Sequence, residues 1–436
     1  MSKSKIFLLA SLIFLLSNLL YLLYFENKGN HSFGYDFFYT FTATVVKVDK
    51  KLDGYNIVVQ PEELVDFSGK ILLYHTLYPE YYYGDILEIS CKIYKPEKIL
   101  AEDGQTFAYD KYLAKDDIFG TCFRPHIKTI GQSKNLTFYI YQARHYFWQN
   151  LNDYLVEPSS ALAKAMFLSP QREISDDFWA IFAKVGVSHM ISISGSHMVI
   201  IIWLAQSFLI ALGFSRKSAF WFLVIFLLFY LYLIGFISPA VRSAAMAIIL
   251  LSGPFLGRNT DSVYSLFLAA DILVTLNPYI ILYDIGFQLS FLAVLGLVYY
   301  ARFFNKVLVF IPQQFKLREV VAVTLASQIF TWPITVYNFG IFSIIAPVAN
   351  LLILPFLPVV LILSMALSVF GFWAFLAELI AWPLFISLKI IVDISEWLSK
   401  IPYAFVYING FSLVYLFLSL FFMCLITIIL NPRSYE

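Results

Sequence analysis

The stretch GVSHMISISGSHMV at residues 186–199, running into the apolar segment VIIIWLAQSFLIALGF at 199–214, decides what kind of fold this chain adopts. Ser188, His189, Ser192, Ser194, Gly195, Ser196 and His197 are small or polar residues at the head of a segment otherwise fit for lipid. A helix face bearing that many hydroxyls and imidazoles is costly against hydrocarbon, so this face must line protein or water. Two readings of it stand. Serine and glycine let helices pack closely, or the polar face borders a permeation path.

Outward from that stretch the apolar pattern repeats. Hydrophobic residues make up 60% of 436 positions and charged residues 14%, and mean hydropathy is +0.74. A soluble domain is about 45–50% apolar and about 25% charged, so this chain has too little polar surface for water. Nine apolar spans follow Gly186, centred near 200, 228, 248, 270, 294, 329, 355, 382 and 420. Pro347, Pro355 and Pro358 interrupt 341–370, which predicts a broken or re-entrant helix there. The start, MSKSKIFLLASLIFLLSNLLYLLYF, adds Lys3 and Lys5 ahead of an apolar run. That run is long enough to span ~30 Å of hydrocarbon, and lysines before it favour a cytoplasmic N-terminus. Arg216-Lys217, Arg258, and the group Arg302, Lys306, Lys316 and Arg318 fall on the same side if the span near 200 runs inward. About ten transmembrane helices with both termini inside is the expectation.

Charge separates a different kind of segment. Residues 26–185 hold 17 Lys and Arg against 21 Asp and Glu, whereas 186–436 hold 11 against 8. Neither part is the strongly basic body of an ordinary nucleic-acid binder. Runs rich in Val, Ile, Thr and Tyr at 40–48, 55–59, 71–75, 86–94 and 118–130 read as strands, separated by turn signals at Asp53-Gly54, Ser68-Gly69 and Gly84-Asp85. Five short strands suit a small closed β-barrel of the OB kind. Residues 136–185 read as amphipathic helix, with Asp176 and Asp177 suited to a helix N-terminus. The fold class expected is therefore an α-helical polytopic membrane protein with an inserted OB-like domain outside the cytoplasm. Its divisions are an anchor over 1–26, the OB-like domain over 27–135, amphipathic helices over 136–185 and a polytopic domain over 186–436. Cys91 and Cys122 both fall in the exported insert, where a disulfide is chemically permitted and two separate buried thiols are the alternative. No Cys/His spacing matches a zinc site, and no metal or cofactor is expected.

Further candidates lie within the apolar spans. In SPAVRSAAM, residues 238–246, Pro239 sits where a helix restarts and Arg242 lies one turn in. Arg242 either snorkels to the interface or offers a fixed positive charge to an anionic substrate, for which a guanidinium fork suits phosphate. Asp271, Asp284, Gln288, Gln328, Asn338 and Asn350 are polar at membrane depth, and each serves helix-to-helix hydrogen bonding as readily as substrate contact. An intramembrane serine hydrolase would use Ser194 with a histidine base. The only histidines of the apolar region are His189 and His197, on the serine's own segment, and no orienting carboxylate lies near.

At these motifs the sequence resembles the ComEC family of competence proteins, inner-membrane channels for incoming DNA. Residues 161–199 (ALAKAMFLSPQREISDDFWAIFAKVGVSHMISISGSHMV) are similar to the family's stretch ending in Gly-x-Ser-His…Ile-Ser-Gly-x-His. SPAVRSAAM resembles its Pro-Ala-x-Arg segment, and 258–297 resembles the block with an early Arg, an Asn-Pro and a Gly-Phe-Gln-Leu-Ser-Phe. Gln328, Pro333, Phe339-Gly340, Asn350 and Pro355 keep the order of its last block, and Tyr83-Gly84-Asp85, Lys95-Pro96 and 107–110 are similar to its N-terminal OB-like domain. Ser169-Pro170 and Ser196 depart from the pattern.

The resemblance implies passage of single-stranded DNA into the cytoplasm during natural transformation. It places the DNA path at His189, Ser192, Ser194, Gly195, His197, Pro239, Arg242, Arg258, Gln288, Gln328 and Asn350. Long members append a metallo-β-lactamase-like domain. This sequence ends at Glu436 and holds no His-x-His-x-Asp-His pattern, so the expectation is a short form that is not an enzyme. A separate nuclease would then supply the strand, a DNA receptor would deliver it, and, with no Gly-x-x-x-x-Gly-Lys loop present, a cytoplasmic ATP-dependent motor would pull it. A small-molecule or lipid transporter is the alternative, because fold does not fix function.

Overall fold

The computed structural model describes residues 3–24, 33–50, 54–62, 64, 66–100, 106–169, 174–255, 262–408 and 410–430. Arg258, Asp53 and Pro170 lie outside the described residues. The chain divides into two compact units, one of residues 1–145 with 271–284 and the other of 146–270 with 285–436.

The first unit opens with helix α1 (Lys3–Tyr24) and then builds a sheet. Its strands are β1 (Phe38–Lys50), β2 (Tyr55–Pro61), β3 (Lys70–His75), β4 (Asp85–Lys92), the short pair β5 (Ile99–Leu100) and β6 (Thr106–Phe107), then, after helix α2 (Tyr109–Ala114), β7 (Ile118–Phe123) and β8 (His126–Gln132). Six of them form one sheet in the order β7-β3-β2-β1-β4-β8, and β5 and β6 pair with each other. Alternation explains the core: Ala43, Val45, Ile57, Val59, Ile71, Leu73, Leu87 and Ile89 are fully buried on the inner face. At Gly54 a Cβ would run into the His75 carbonyl, so the β2–β3 edge closes only over glycine.

The expected closed barrel does not form. The apolar run at 118–130 breaks at Arg124, which takes a left-handed φ of 49°, and Pro125 follows it. Its halves become β7 and β8, at opposite margins of the sheet. β4 ends at Lys92, after which Ile93 turns to bond with Asp36 and Phe37. Tyr94 alone then reaches β7, exchanging two hydrogen bonds of 2.8 and 2.9 Å with Thr121. A Cys91–Cys122 disulfide crosses that same seam, with the Cα atoms 6.4 Å apart, inside the usual range for such a bridge.

The second unit is helical. After α3 (Leu136–Tyr154) come α4 (Ser159–Leu168), α5 (Asp176–Val185), a 3-10 turn at Ser188–Met190, α6 (Gly195–Ala211), α7 (Arg216–Ile234), α8 (Ser238–Phe255) and α9 (Ser262–Leu276). After α10 (Ile280–Tyr283), which belongs to the first unit, there follow α11 (Ile285–Val307), α12 (Leu317–Phe339), strand β9 (Ile341–Ser343), α13 (Ala346–Ile353), α14 (Phe356–Phe370), α15 (Ala374–Ser399), strand β10 (Phe405–Tyr407) and α16 (Leu413–Leu430). α4 is buried on every side. Its Lys164 ammonium lies 3.5 Å from Glu157, 3.2 Å from the Asn152 carbonyl oxygen and over the Trp148 ring. That shell of partners is what a buried ammonium requires.

Every expected span centre falls on or between these helices, and a smaller number than ten meets the length and composition of a span among the described residues. Among the described residues four helices, Lys217–Ile234, Ile285–Val307, Leu317–Phe339 and Ala374–Ser399, are long and apolar enough to cross a membrane. The pair Ala346–Ile353 and Phe356–Phe370, bent by 46°, makes a fifth. The other apolar stretches among the described residues run 10–17 residues; α1 has 22 residues in all, whereas α6 and α9, at 1.5 Å per residue, are shorter than ~30 Å of hydrocarbon. Polar caps cut them short: Ser194 begins α6, and Asn277-Pro278 ends α9. Where α11 and α12 lie side by side, a Cβ at Gly296 would collide with the Ala326 carbonyl, so close helix approach is the reason for that glycine.

Candidate functional site: a polar junction of helix N-termini

The junction is built from the end of α5 onward. Ser175 caps α5 by accepting the Phe178 amide, and Gly186 closes it with a φ of +80°. A Cβ at Gly186 would lie 2.6 Å from Ala346 Cβ, so two reasons at once, backbone sign and space, demand glycine. The chain then makes the turn bearing His189, which is exposed, passes half-buried Ser192, and enters α6 at Ser194.

His197 is wholly buried and organises that entry. Its Nδ1 accepts the Ser194 amide at 3.2 Å, the reach-back of a capping box with histidine in the usual Glu or Gln position. Since Nδ1 accepts there, the Ser194 hydroxyl is the donor in its own 2.9 Å contact with the same nitrogen. The Ser196 hydroxyl lies 2.8 Å from Ser194 Oγ. The ring proton then resides on Nε2, which is buried without a hydrogen bond of good geometry; the Met190 carbonyl is the polar group beside it. Leaving such a donor unsatisfied costs about 1–3 kcal/mol.

The first turn of α8 packs against this entry: a Cβ on Gly195 would sit 3.4 Å from the Ser243 hydroxyl. The Ser243 hydroxyl donates to the Pro239 carbonyl at 2.9 Å, one turn back on its own helix. One residue earlier, Arg242 is buried, with 6% of its surface exposed. Its Nη1 donates to Ser238 Oγ at 2.8 Å and its Nη2 to the Gly286 carbonyl at 2.7 Å, and the guanidinium lies 5.9 Å from the Phe287 ring centre. Gly286 and Phe287 open α11. The first turns of α8 and α11 therefore meet at one guanidinium, and that of α6 enters beside α8 at Ser243. Helix N-termini carry partial positive charge and amides without intrahelical partners, so the two at the arginine form a pole that favours phosphate-like anions.

Of the residues expected to act together, Ser194, Gly195, His197, Pro239 and Arg242 meet here, and half-buried Gln288 follows Phe287 on α11. His189 and Ser192 precede the junction on its loop. Asn350 and Gln328 instead belong to the α12–α13 pair. Asn350 Nδ2 donates to the Thr324 hydroxyl at 3.1 Å, one helical turn before Gln328, and Asn350 Oδ1 is buried without a partner. Asn338 bonds its own helix at the Ile334 carbonyl. In the other unit Asp271 accepts the Ser11 hydroxyl at 2.8 Å. Sequence reasoning passed over Ser238, Gly286 and Phe287. The signal for Gly286 was weak, because a carbonyl partner leaves no mark on side-chain chemistry. No group of three His, Cys, Asp or Glu side chains that could hold a metal occurs among the described residues.

These features define a polytopic helical membrane protein with a separate sheet unit and a polar, electropositive junction within its helices. The family model for the competence protein matches residues 166–433, well over half of the chain, and the chain belongs to that family. It is 29% identical over 287 residues to ComE operon protein 3 of Bacillus subtilis (strain 168); the match takes in 63% of this chain and 36% of that protein. The chain thus spans well under two thirds of the relative's length. No solved structure matches.

Proposed function

We propose that this chain is a conduit for single-stranded DNA entering the cell during natural transformation, held in the cytoplasmic membrane with its sheet unit, read as OB-like, on the outer side and both termini inside. The observation that carries this reading is the meeting of two helix N-termini, those of α8 and α11, at buried Arg242. Conduction needs an anion to be favoured enough to enter and weakly enough held to leave. One guanidinium, dipoles that fade within a turn and a row of serine hydroxyls supply that balance better than a dense basic groove. The chain is read as non-enzymatic, relying on a receptor, a nuclease and an ATP-dependent motor as partners.

Replacing Arg242 by Ala in the native host tests the reading. Transformants should fall at least tenfold while membrane insertion of the protein is unchanged. Undiminished transformation in that strain, or in one lacking the gene, overturns the proposal. The Ser194–His197 contact also fits a hydrolase; a serine-directed probe whose labelling vanishes in Ser194→Ala would install that reading in its place.

A further inference from the structure

The pair α13 and α14 is bent by 46°, and the break between them strips an oxygen of its donor within the apolar helices of the second unit. The Leu354 amide still closes the last turn of α13 on the Asn350 carbonyl at 3.0 Å. Pro355 comes next and carries no N–H, so the Leu351 carbonyl loses its regular helical donor. The Leu357 amide then turns back on the Leu354 carbonyl at 3.1 Å, a tighter step from which α14 sets off in its new direction.

Asn350 supplies a second open oxygen. The Thr324 hydroxyl has one proton, and it gives that proton to the Val320 carbonyl at 2.9 Å. Toward Asn350 it therefore only accepts, which fixes the amide with Nδ2 on Thr324 at 3.1 Å and Oδ1 turned away from it. Asn350 and Thr324 are both buried, and Asn350 Oδ1 has no hydrogen-bond partner among the described residues. Ala346, Ala349 and Ile353 of the same helix are buried too, so the bare amide oxygen belongs to an apolar layer. A buried acceptor left in that state is costly.

The chemistry of the open atoms selects the occupant. Asn350 Oδ1, the Leu351 carbonyl and the remaining lone pair of Thr324 Oγ1 are all acceptors, and the protons of Asn350 Nδ2 toward Thr324 and of the Thr324 hydroxyl are already committed. A water molecule donates to two acceptors at most, whereas a cation takes every one. No group of three His, Cys, Asp or Glu side chains stands among the described residues to hold a divalent metal. Neutral oxygens at a discontinuous membrane helix suit a monovalent ion instead.

We propose that the break between α13 and α14 binds a monovalent alkali cation, with Asn350 Oδ1, the Leu351 carbonyl and Thr324 Oγ1 as ligands. Such an ion ties α12 to the bent pair, so its occupancy sets how firmly the bend is held. The site is separate from Arg242 and does not depend on the conduit reading.

The test titrates the full chain in lipid nanodiscs with Na+ and with K+ against choline at constant ionic strength, reading the unfolding midpoint and the binding of radiolabelled sodium. Saturable binding is expected, with the midpoint rising as the site fills. Thr324→Val and Asn350→Leu should each weaken cation affinity at least tenfold, while Asn350→Asp, which charges the same oxygen, should tighten it. Arg242→Ala should leave cation binding intact, so transformation lost in that variant and cation binding lost in Thr324→Val report on different sites. A wild-type chain with no saturable response to either cation beyond that to choline overturns the proposal. So does a cation affinity unchanged in both Thr324→Val and Asn350→Leu.

Discussion

Tyr55 shows how one side chain writes pH dependence into the sheet unit. Its phenol is buried in the core and donates to Glu80 at 3.2 Å. Burial first, and the neighbouring Glu80 carboxylate second, push it up to about 12. Tyr82, which also donates to Glu80, is raised in the same direction, chiefly by that hydrogen bond. The folded state thus favours the neutral phenol. Its contribution is complete below the ordinary value near 10 and is lost as pH rises toward 12, and at 1.36 kcal/mol per unit it amounts to at most ~3 kcal/mol. Denaturant titrations of the full chain, followed by circular dichroism of the sheet signal, should therefore show stability falling between pH 10 and 12. Tyr55→Phe should flatten that fall; an equally steep fall in the variant would show that other groups govern it.

At the scale of elements, the disulfide stands in for hydrogen bonds that the sheet lacks. β7 pairs with β3 on one side, and on the other it has the Tyr94–Thr121 bridge and the Cys91–Cys122 bond. A crosslink separated by 31 residues removes about 3–4 kcal/mol of chain entropy from the unfolded state. Replacing both cysteines by serine should lower the stability of the sheet unit by that order, read from its urea midpoint under non-reducing conditions. An unchanged midpoint would mean that the seam holds without the bond. Much of this layer was legible beforehand, because strand alternation and turn pairs mark β1 to β4 without ambiguity. The barrel was not. The stretch 118–130 was read as one strand although Arg124-Pro125 interrupts it, and the left-handed Arg124 sends its halves to opposite margins. Apolar runs likewise marked every helix of the second unit, whereas helix lengths are set by caps and corners, such as Ser194 and the Gly186–Ala346 contact, that depend on partners distant in sequence. Ser194, His197 and Arg242 were legible as chemistry, but the contact of Arg242 with Gly286 was not.

Across the whole molecule, the conduit reading fixes a sidedness that can be measured. The positive-inside rule concerns short loops near span ends. Here Lys217 lies in the first turn of α7, and Arg302, Lys306, Lys316 and Arg318 cluster around the turn between α11 and α12. α11 and α12 are both long enough to cross, so a hairpin with its cationic turn inside exposes its other ends outward. On the conduit reading the N-terminal lysines are also inside and the sheet unit that follows α1 is outside. Single cysteines introduced in a background lacking Cys91, Cys122 and Cys424 test this directly. In spheroplasts a membrane-impermeant maleimide should label a cysteine at Lys128, which is exposed on β8, without permeabilisation. A cysteine at Lys306 should react only after the membrane is opened. The reverse pattern would place the sheet unit in the cytoplasm and overturn the sidedness of the conduit reading. Labelling of both sites in closed spheroplasts would mean that the α11–α12 turn faces outward, and that the charge rule fails for this chain.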